Sequence, residues 1–127
     1  MFVADTHAWV YYILDKLPKN LDGIFKSVER SESTMFIPTI VLTECIHLAE
    51  TNKISISYKE LFSRLEESEN FSVVPLDLEI TKTVPQIKLK EIHDRIIVAT
   101  AKVLDSTLLT KDREIARSRI VKTLWFE

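Results

Sequence analysis

Four acidic residues occupy positions from which carboxylate chemistry could be done: Asp5, Glu44, Asp94 and Asp112. Asp5 closes the apolar run Phe2-Val3-Ala4, and Asp112 stands just past Thr110 at the end of Thr107-Leu108-Leu109-Thr110. Asp94 precedes the apolar stretch that follows Arg95, while Glu44 interrupts Ile40-Val41-Leu42-Thr43 and Cys45-Ile46. Several carboxylates in one cleft repel, and some stay protonated unless a cation neutralises them. Oxygen donors without paired Cys or clustered His suit hard cations such as Mg²⁺ or Mn²⁺. Such ions make a bound water nucleophilic, hold a phosphodiester and stabilise charge on the leaving oxygen. The chemistry expected of these acids, if they converge, is therefore in-line hydrolysis of a phosphodiester. Thr110 and Thr6 could bind a metal-bound water or a phosphate oxygen, and Arg95 and Lys111 could hold a substrate phosphate.

Each acid also has a plainer reading. Asp94, taken alone, is more often a helix N-cap than a ligand, and Asp5 and Asp112 could equally be strand-to-helix caps. Glu44 is harder to dismiss, because a buried ionised carboxylate is costly without a partner, although a half-buried helix would let it face solvent. Asp77 has the better claim to be only a cap. His7, His47 and His93 lack compact metal-ligand spacing. His47 lies three positions after Glu44, close enough on a helix to share its face, with packing or a local hydrogen bond the simpler role. Trp9, Tyr11 and Tyr12 could stack bases, but core packing or a dimer contact is the better expectation.

Positioning these residues requires strands that end at the acids. Phe2 to Asp5 reads as a first strand and Thr6 to Asp15 as a helix, ended near Pro18. A second helix is expected over Leu21 to Arg30, where Ile24, Phe25 and Val28 recur at helical spacing. Met35 to Ile37 is a buried strand stopped by Pro38, followed by a helix from Thr39 to Glu50. Ser57-Tyr58-Lys59-Glu60 has the capping-box pattern and should start another helix. Phe71 to Val74 is a third strand, Asp77 caps the next helix, and Pro85 should break it. Asp94 opens the clearest helix, through Ala101. Thr107 to Thr110, a short helix from Glu114 to Arg117, and a strand from Val121 to Trp125 complete the chain. Five apolar strands alternating with helices imply a mainly parallel sheet covered on both faces. Ligand sites in such sheets lie beyond the carboxyl ends of the strands. If the first and fourth strands are neighbours, the acids converge on one edge of the sheet.

The bulk properties narrow the alternatives. At 127 residues, with 46% hydrophobic and 28% charged, the chain has the size and balance of one globular domain, 1–127, rather than a disordered segment. A net charge of −2 argues against indiscriminate nucleic-acid binding through a broad basic field. The single cysteine, Cys45, excludes an intrachain disulfide and fits a reducing, cytoplasmic setting. The apolar N-terminus carries Asp5 and His7 and no basic leader, so it reads as core rather than export signal. No run is long enough to span a membrane. One glycine, Gly23, nearly removes nucleotide-binding loops, which need several, and no Ser has the glycines of a nucleophile elbow around it.

Four segments, in order, resemble the PIN-domain family, and within it the VapC-like toxin ribonucleases. Asp5-Thr6-His7-Ala8 looks like the family's opening strand and first acid, and Thr43-Glu44-Cys45-Ile46-His47-Leu48 like its central Glu helix. Asp94 to Ala101 is similar to the third-acid helix, the most specific match, and Leu108-Leu109-Thr110-Lys111-Asp112 to the strand ending in Thr-x-Asp. The resemblance implies a five-stranded parallel sheet in a three-layer α/β/α sandwich, with Mg²⁺ or Mn²⁺ held by the four acids. It implies an endoribonuclease leaving 5′-phosphate and 3′-hydroxyl ends, usually a homodimer silenced by a small antitoxin. One departure is local: relatives often have a Pro-containing turn before the third acid, where this chain has Lys90-Glu91-Ile92-His93. Two other readings compete. One is a non-catalytic binding or scaffold domain of the same fold; the other is a receiver-like signalling domain using Asp5, Asp77 and Lys111.

Overall fold

The computed structural model describes residues 1–125. Five short strands, β1 (Phe2–Ala4), β2 (Met35–Pro38), β3 (Phe71–Val74), β4 (Thr107–Leu109) and β5 (Thr123–Leu124), form one sheet in the order β3-β2-β1-β4-β5. Every pairing is parallel, with Phe2 opposite Met35 on one side and Ala4 opposite Leu109 on the other. The helices are α1 (Thr6–Ile13), α2 (Lys19–Glu29), α3 (Thr39–Glu50), α4 (Tyr58–Ser63), α5 (Leu78–Thr83), α6 (Ile92–Val103) and α7 (Arg113–Ser118). The chain steps from β1 to β2 to β3 in one direction, then crosses back to β4 and β5 in the other. Right-handed crossovers therefore place helices on opposite faces of the sheet, giving the three-layer α/β/α sandwich. The reversal falls between β1 and β4, whose connections leave in opposite directions, and a crevice opens there at the strands' carboxyl ends.

Expectation and structure agree on type for every element and differ at boundaries. The final strand is shorter than Val121 to Trp125, because pairing with β4 starts only where the Leu108 amide donates to the Lys122 carbonyl. Pro85 does break its helix: α5 stops at Thr83 and a tight 3₁₀ turn covers Val84–Gln86. The Ser57 capping box is formed, with its hydroxyl accepting from the Glu60 amide at 3.1 Å. One larger correction concerns α6. It begins at Ile92 and its N-cap is Glu91, whose carboxylate accepts the Asp94 amide at 2.8 Å. Asp94 thus sits in the first turn, not at the cap.

Helix ends compensate for the scarcity of glycine. After α1, α2, α3 and α6 the chain turns through a left-handed residue: Asp15 (φ 55°), Ser31 (φ 61°), Asn52 (φ 57°) and Asp105 (φ 47°). At Asp15 the amides of Asp15 and Lys16 donate to the carbonyls of Tyr12 and Tyr11, the crossed pair of a Schellman motif, and the other three repeat it. Asp and Asn tolerate this conformation better than most residues, at a cost of about 1 kcal/mol each. The core beneath is aromatic: Tyr12 stacks on Phe25 at 4.5 Å, and Trp9 meets Phe71 edge-on at 5.4 Å. Trp9 is fully buried and Tyr12 nearly so, which assigns both to packing rather than to base stacking.

Candidate active site

A cleft of about 650 Å³ opens at the β1/β4 crevice, lined by Asp5, Glu44, Asp94 and Asp112 together with Thr6 and Lys111. The β1/β4 pairing explains two of the acids. Ala4 and Leu109 are register partners, and the Asp5 amide donates to the Leu109 carbonyl, so the residues following both strands emerge side by side. Glu44 arrives from the middle of α3 and Asp94 from the first turn of α6, two helices that pack against each other.

Capping and cleft-lining are not alternatives here. Asp5 caps α1 by accepting the Ala8 amide at 2.9 Å, and Asp112 caps α7 by accepting the Glu114 and Ile115 amides at 2.9 and 3.1 Å. These amide bonds all fall on Oδ1, so capping does not consume the second oxygen of either acid. Asp94 needs no such double duty, since Glu91 performs the capping. Glu44 is held from two sides: the Thr6 hydroxyl donates to Oε1 at 3.0 Å, and His93 Nδ1 stands 3.6 Å from Oε2. The same His93 nitrogen lies 3.3 Å from Glu91.

The acids perturb one another as clustered carboxylates must. Burial, with Asp5 only 6% exposed, raises its pKa to about 6, and the charges of Asp112 and Glu44 add to the rise. Hydrogen bonds from Thr110 and the Ala8 amide oppose it. Asp94 is likewise raised to about 6, by desolvation first and then by Glu91, Asp112, Glu44 and Asp5. His7 is pushed below its ordinary value by burial and by Lys111, so its ring is neutral at pH 7. Burial pushes the Cys45 thiol up to about 12, which makes it an inert neighbour of the site.

The other residues singled out from sequence divide. Thr110 is 1% exposed and works from behind the cleft, bonding Asp5 and accepting the Asp112 amide at 3.1 Å. Lys111 lines the cleft; its ammonium donates to the Tyr11 hydroxyl at 3.0 Å. Arg95 is a correction. Its guanidinium turns away to donate to the carbonyls of Ile87 (3.2 Å) and Val84 (3.1 Å), tying α6 to the turn at Pro85. A planar donor fork satisfying a proline-broken backbone is a structural tie, not a phosphate clamp. Asp77 caps α5 and does not line the cleft with Asp5 and Lys111, so the receiver-like grouping is not formed.

His7, His47 and His93 all line the cleft; His93 stands beside Asp94 in sequence, where proximity to the site was expected of it, whereas His7 and the capping role of Glu91 had no such signal. For His47 the legible signal was its three-residue spacing from Glu44. Apolar Ile40, Leu48 and Ile97 complete the lining. The carboxylate-rich set fits a hard divalent cation in kind, and burial, with the neighbouring charges adding to it, has raised Asp5 and Asp94 toward neutrality. Among the described residues, no three His, Cys, Asp or Glu side chains stand in an arrangement that could hold a metal ion as they are.

The sequence profile of the PIN domain matches residues 2–120. No curated protein sequence matches the chain significantly. Among solved structures, VapBC2 from Rickettsia felis bound to a promoter DNA fragment aligns with a TM-score of 0.72 at 18% identity, over 99% of this chain and 98% of that one. DNA-bound VapBC from Salmonella typhimurium aligns with a TM-score of 0.72 at 22% identity, over 98% of each. FitAcB from Neisseria gonorrhoeae gives 0.67 at 21%, over 98% of this chain and 96% of that one. These likenesses extend to the fold across essentially the whole chain.

Proposed function

Because the chain belongs to the PIN-domain family, we propose that it is a divalent-metal-dependent endoribonuclease, and specifically the toxin of a toxin–antitoxin pair. The observation that carries this reading is the meeting of four carboxylates, from four separate elements, in one cleft at the strand-order reversal. Asp5, Glu44, Asp94 and Asp112 would hold Mg²⁺ or Mn²⁺, which when bound polarises the scissile phosphate and lowers the pKa of water. Thr6 keeps Glu44 turned into the cleft. Thr110 fixes Asp5 and the backbone entering Asp112. Lys111 offers its ammonium to a substrate phosphate. Attack of water on phosphorus in line with the 3′ oxygen breaks the P–O3′ bond, leaving a 5′-phosphate and a 3′-hydroxyl.

The toxin assignment rests on structural neighbours that are toxin–antitoxin complexes, VapBC among them. By that analogy the protein is silenced by a small antitoxin protein; its resemblance to VapC-like toxins further suggests a cytoplasmic homodimer with one catalytic domain per chain, 1–127. Among the described residues no helix is long and apolar enough to cross a membrane. The test is cleavage of a pool of labelled RNAs with Mn²⁺, with Mg²⁺ and with chelator, beside Asp94→Asn. Metal-dependent cuts bearing 5′-phosphates, absent from the variant, support the reading. Equal cutting by both proteins, or cutting in chelator, removes these acids from the reaction.

A further inference from the structure

An acidic cleft faces a difficulty with a polyanionic substrate: four carboxylates repel the backbone that they must admit. Among the described residues that line the cleft, Lys111 is the cation whose charge no carboxylate pairs within salt-bridge distance. Its position is nonetheless fixed. The ammonium donates to the Tyr11 hydroxyl at 3.0 Å and lies 5.1 Å from the centre of the Tyr11 ring. Tyr11 is itself braced by Trp125 at 5.5 Å and by His7 edge-on at 6.4 Å. A neutral phenol holds a lysine without cancelling its charge, whereas a carboxylate in the same place would cancel it. His7 and Tyr11 stand one turn apart on α1, so they share a face. His7 lines the cleft beside Lys111.

The geometry points to a nucleotide subsite on this wall: Lys111 takes a backbone phosphate, His7 stacks the adjoining base, and Tyr11 is the positioning residue that holds Lys111 in place. The ligand is single-stranded RNA, because stacking on a lone ring needs an unpaired base. The subsite deepens the nuclease reading, and rests on it for the statement that the bound strand is substrate. Long lysine side chains surrender considerable rotamer freedom on binding, and the Tyr11 bond removes part of that loss in advance.

Equilibrium binding of a fluorescent single-stranded RNA pool is measured with chelator in the Asp94→Asn background, across a salt series. Lys111→Met is expected to weaken binding and to lower the slope of log affinity against log salt by about 0.7, the value for one phosphate contact on a single strand. Tyr11→Phe should weaken binding about fivefold with the slope unchanged, and should add nothing in the Lys111→Met background. His7→Ala should weaken it about fivefold, and His7→Phe should restore it. The subsite is overturned by an unchanged slope in Lys111→Met, by independent effects of Tyr11→Phe and Lys111→Met, or by His7→Phe binding no better than His7→Ala. Absence of any RNA binding at low salt overturns it as well. Failure of the nuclease reading looks different: the expected binding pattern holds while the unmodified protein cuts no RNA with either metal.

Discussion

Replacing Asp5 by Asn should make the metal-free protein more stable while abolishing cleavage. Asp5 is 6% exposed, and its pKa is raised from 3.8 to about 6. The folded state therefore binds this proton more tightly than the unfolded chain does. Stability contributed by the protonated form is present below pH 4 and is lost as pH rises toward 6; above pH 6 the full cost of the buried charge is carried. A rise of about two pKa units, at 1.36 kcal/mol each, is a cost of about 3 kcal/mol. Asn keeps the size and the Oδ1 acceptor for the Ala8 amide, so the cap of α1 survives. Allowing for imperfect re-pairing with Thr110, Asp5→Asn should gain about 1–3 kcal/mol at pH 7.5, several degrees in melting temperature for a domain of this size. The assay is thermal unfolding of both proteins in chelator from pH 4.5 to 8. The gap should be small at the acid end and open through pH 6. A variant that melts at or below the unmodified protein at pH 7.5, or a gap that does not change with pH, would refute electrostatic strain at Asp5.

Metal should close or reverse that gap: at a hundred times its dissociation constant, Mn²⁺ should add about 2.7 kcal/mol to the unmodified protein, with a much smaller shift in Asp5→Asn, read as melting temperature against metal concentration. Thr6→Val, which removes the 3.0 Å bond to Glu44, should lower kcat/KM for RNA cleavage about tenfold or more, as outer ligand-orienting contacts do. Arg95→Met should cost about 2 kcal/mol in denaturant unfolding, through its two carbonyl bonds, while RNA affinity in the Asp94→Asn background changes less than twofold. A phosphate-binding Arg95 would show the opposite pattern.

Periodicity and punctuation made the fold legible because local chemistry and tertiary need coincide. Pro38, Pro85 and the Ser57–Glu60 box each end or start an element where the chain must turn. Short parallel strands left their lengths unreadable, as at β5, because pairing depends on the neighbour's register. The four acids could be named, but not their convergence, which follows from β1 lying beside β4. Asp94 looked like a cap because Asp is a common one; Glu91, a weaker capping type, took the amide and released it. Arg95 misled for a related reason: its partners are backbone carbonyls, and backbone groups have no signature in sequence. His47 and His93 were legible as neighbours of Glu44 and Asp94, whereas His7 gave little warning, since its ring placement in the cleft is set by helix packing rather than by spacing.

Anomalous scattering from crystals grown with Mn²⁺ tests the four-acid centre most directly. Coordination by this cleft predicts a peak among Asp5, Glu44, Asp94 and Asp112, with carboxylate oxygens within direct bonding distance of it and the Glu44 side chain still bonded to Thr6. Saturating Mn²⁺ with no peak in the cleft, or with one elsewhere on the molecule, would contradict it.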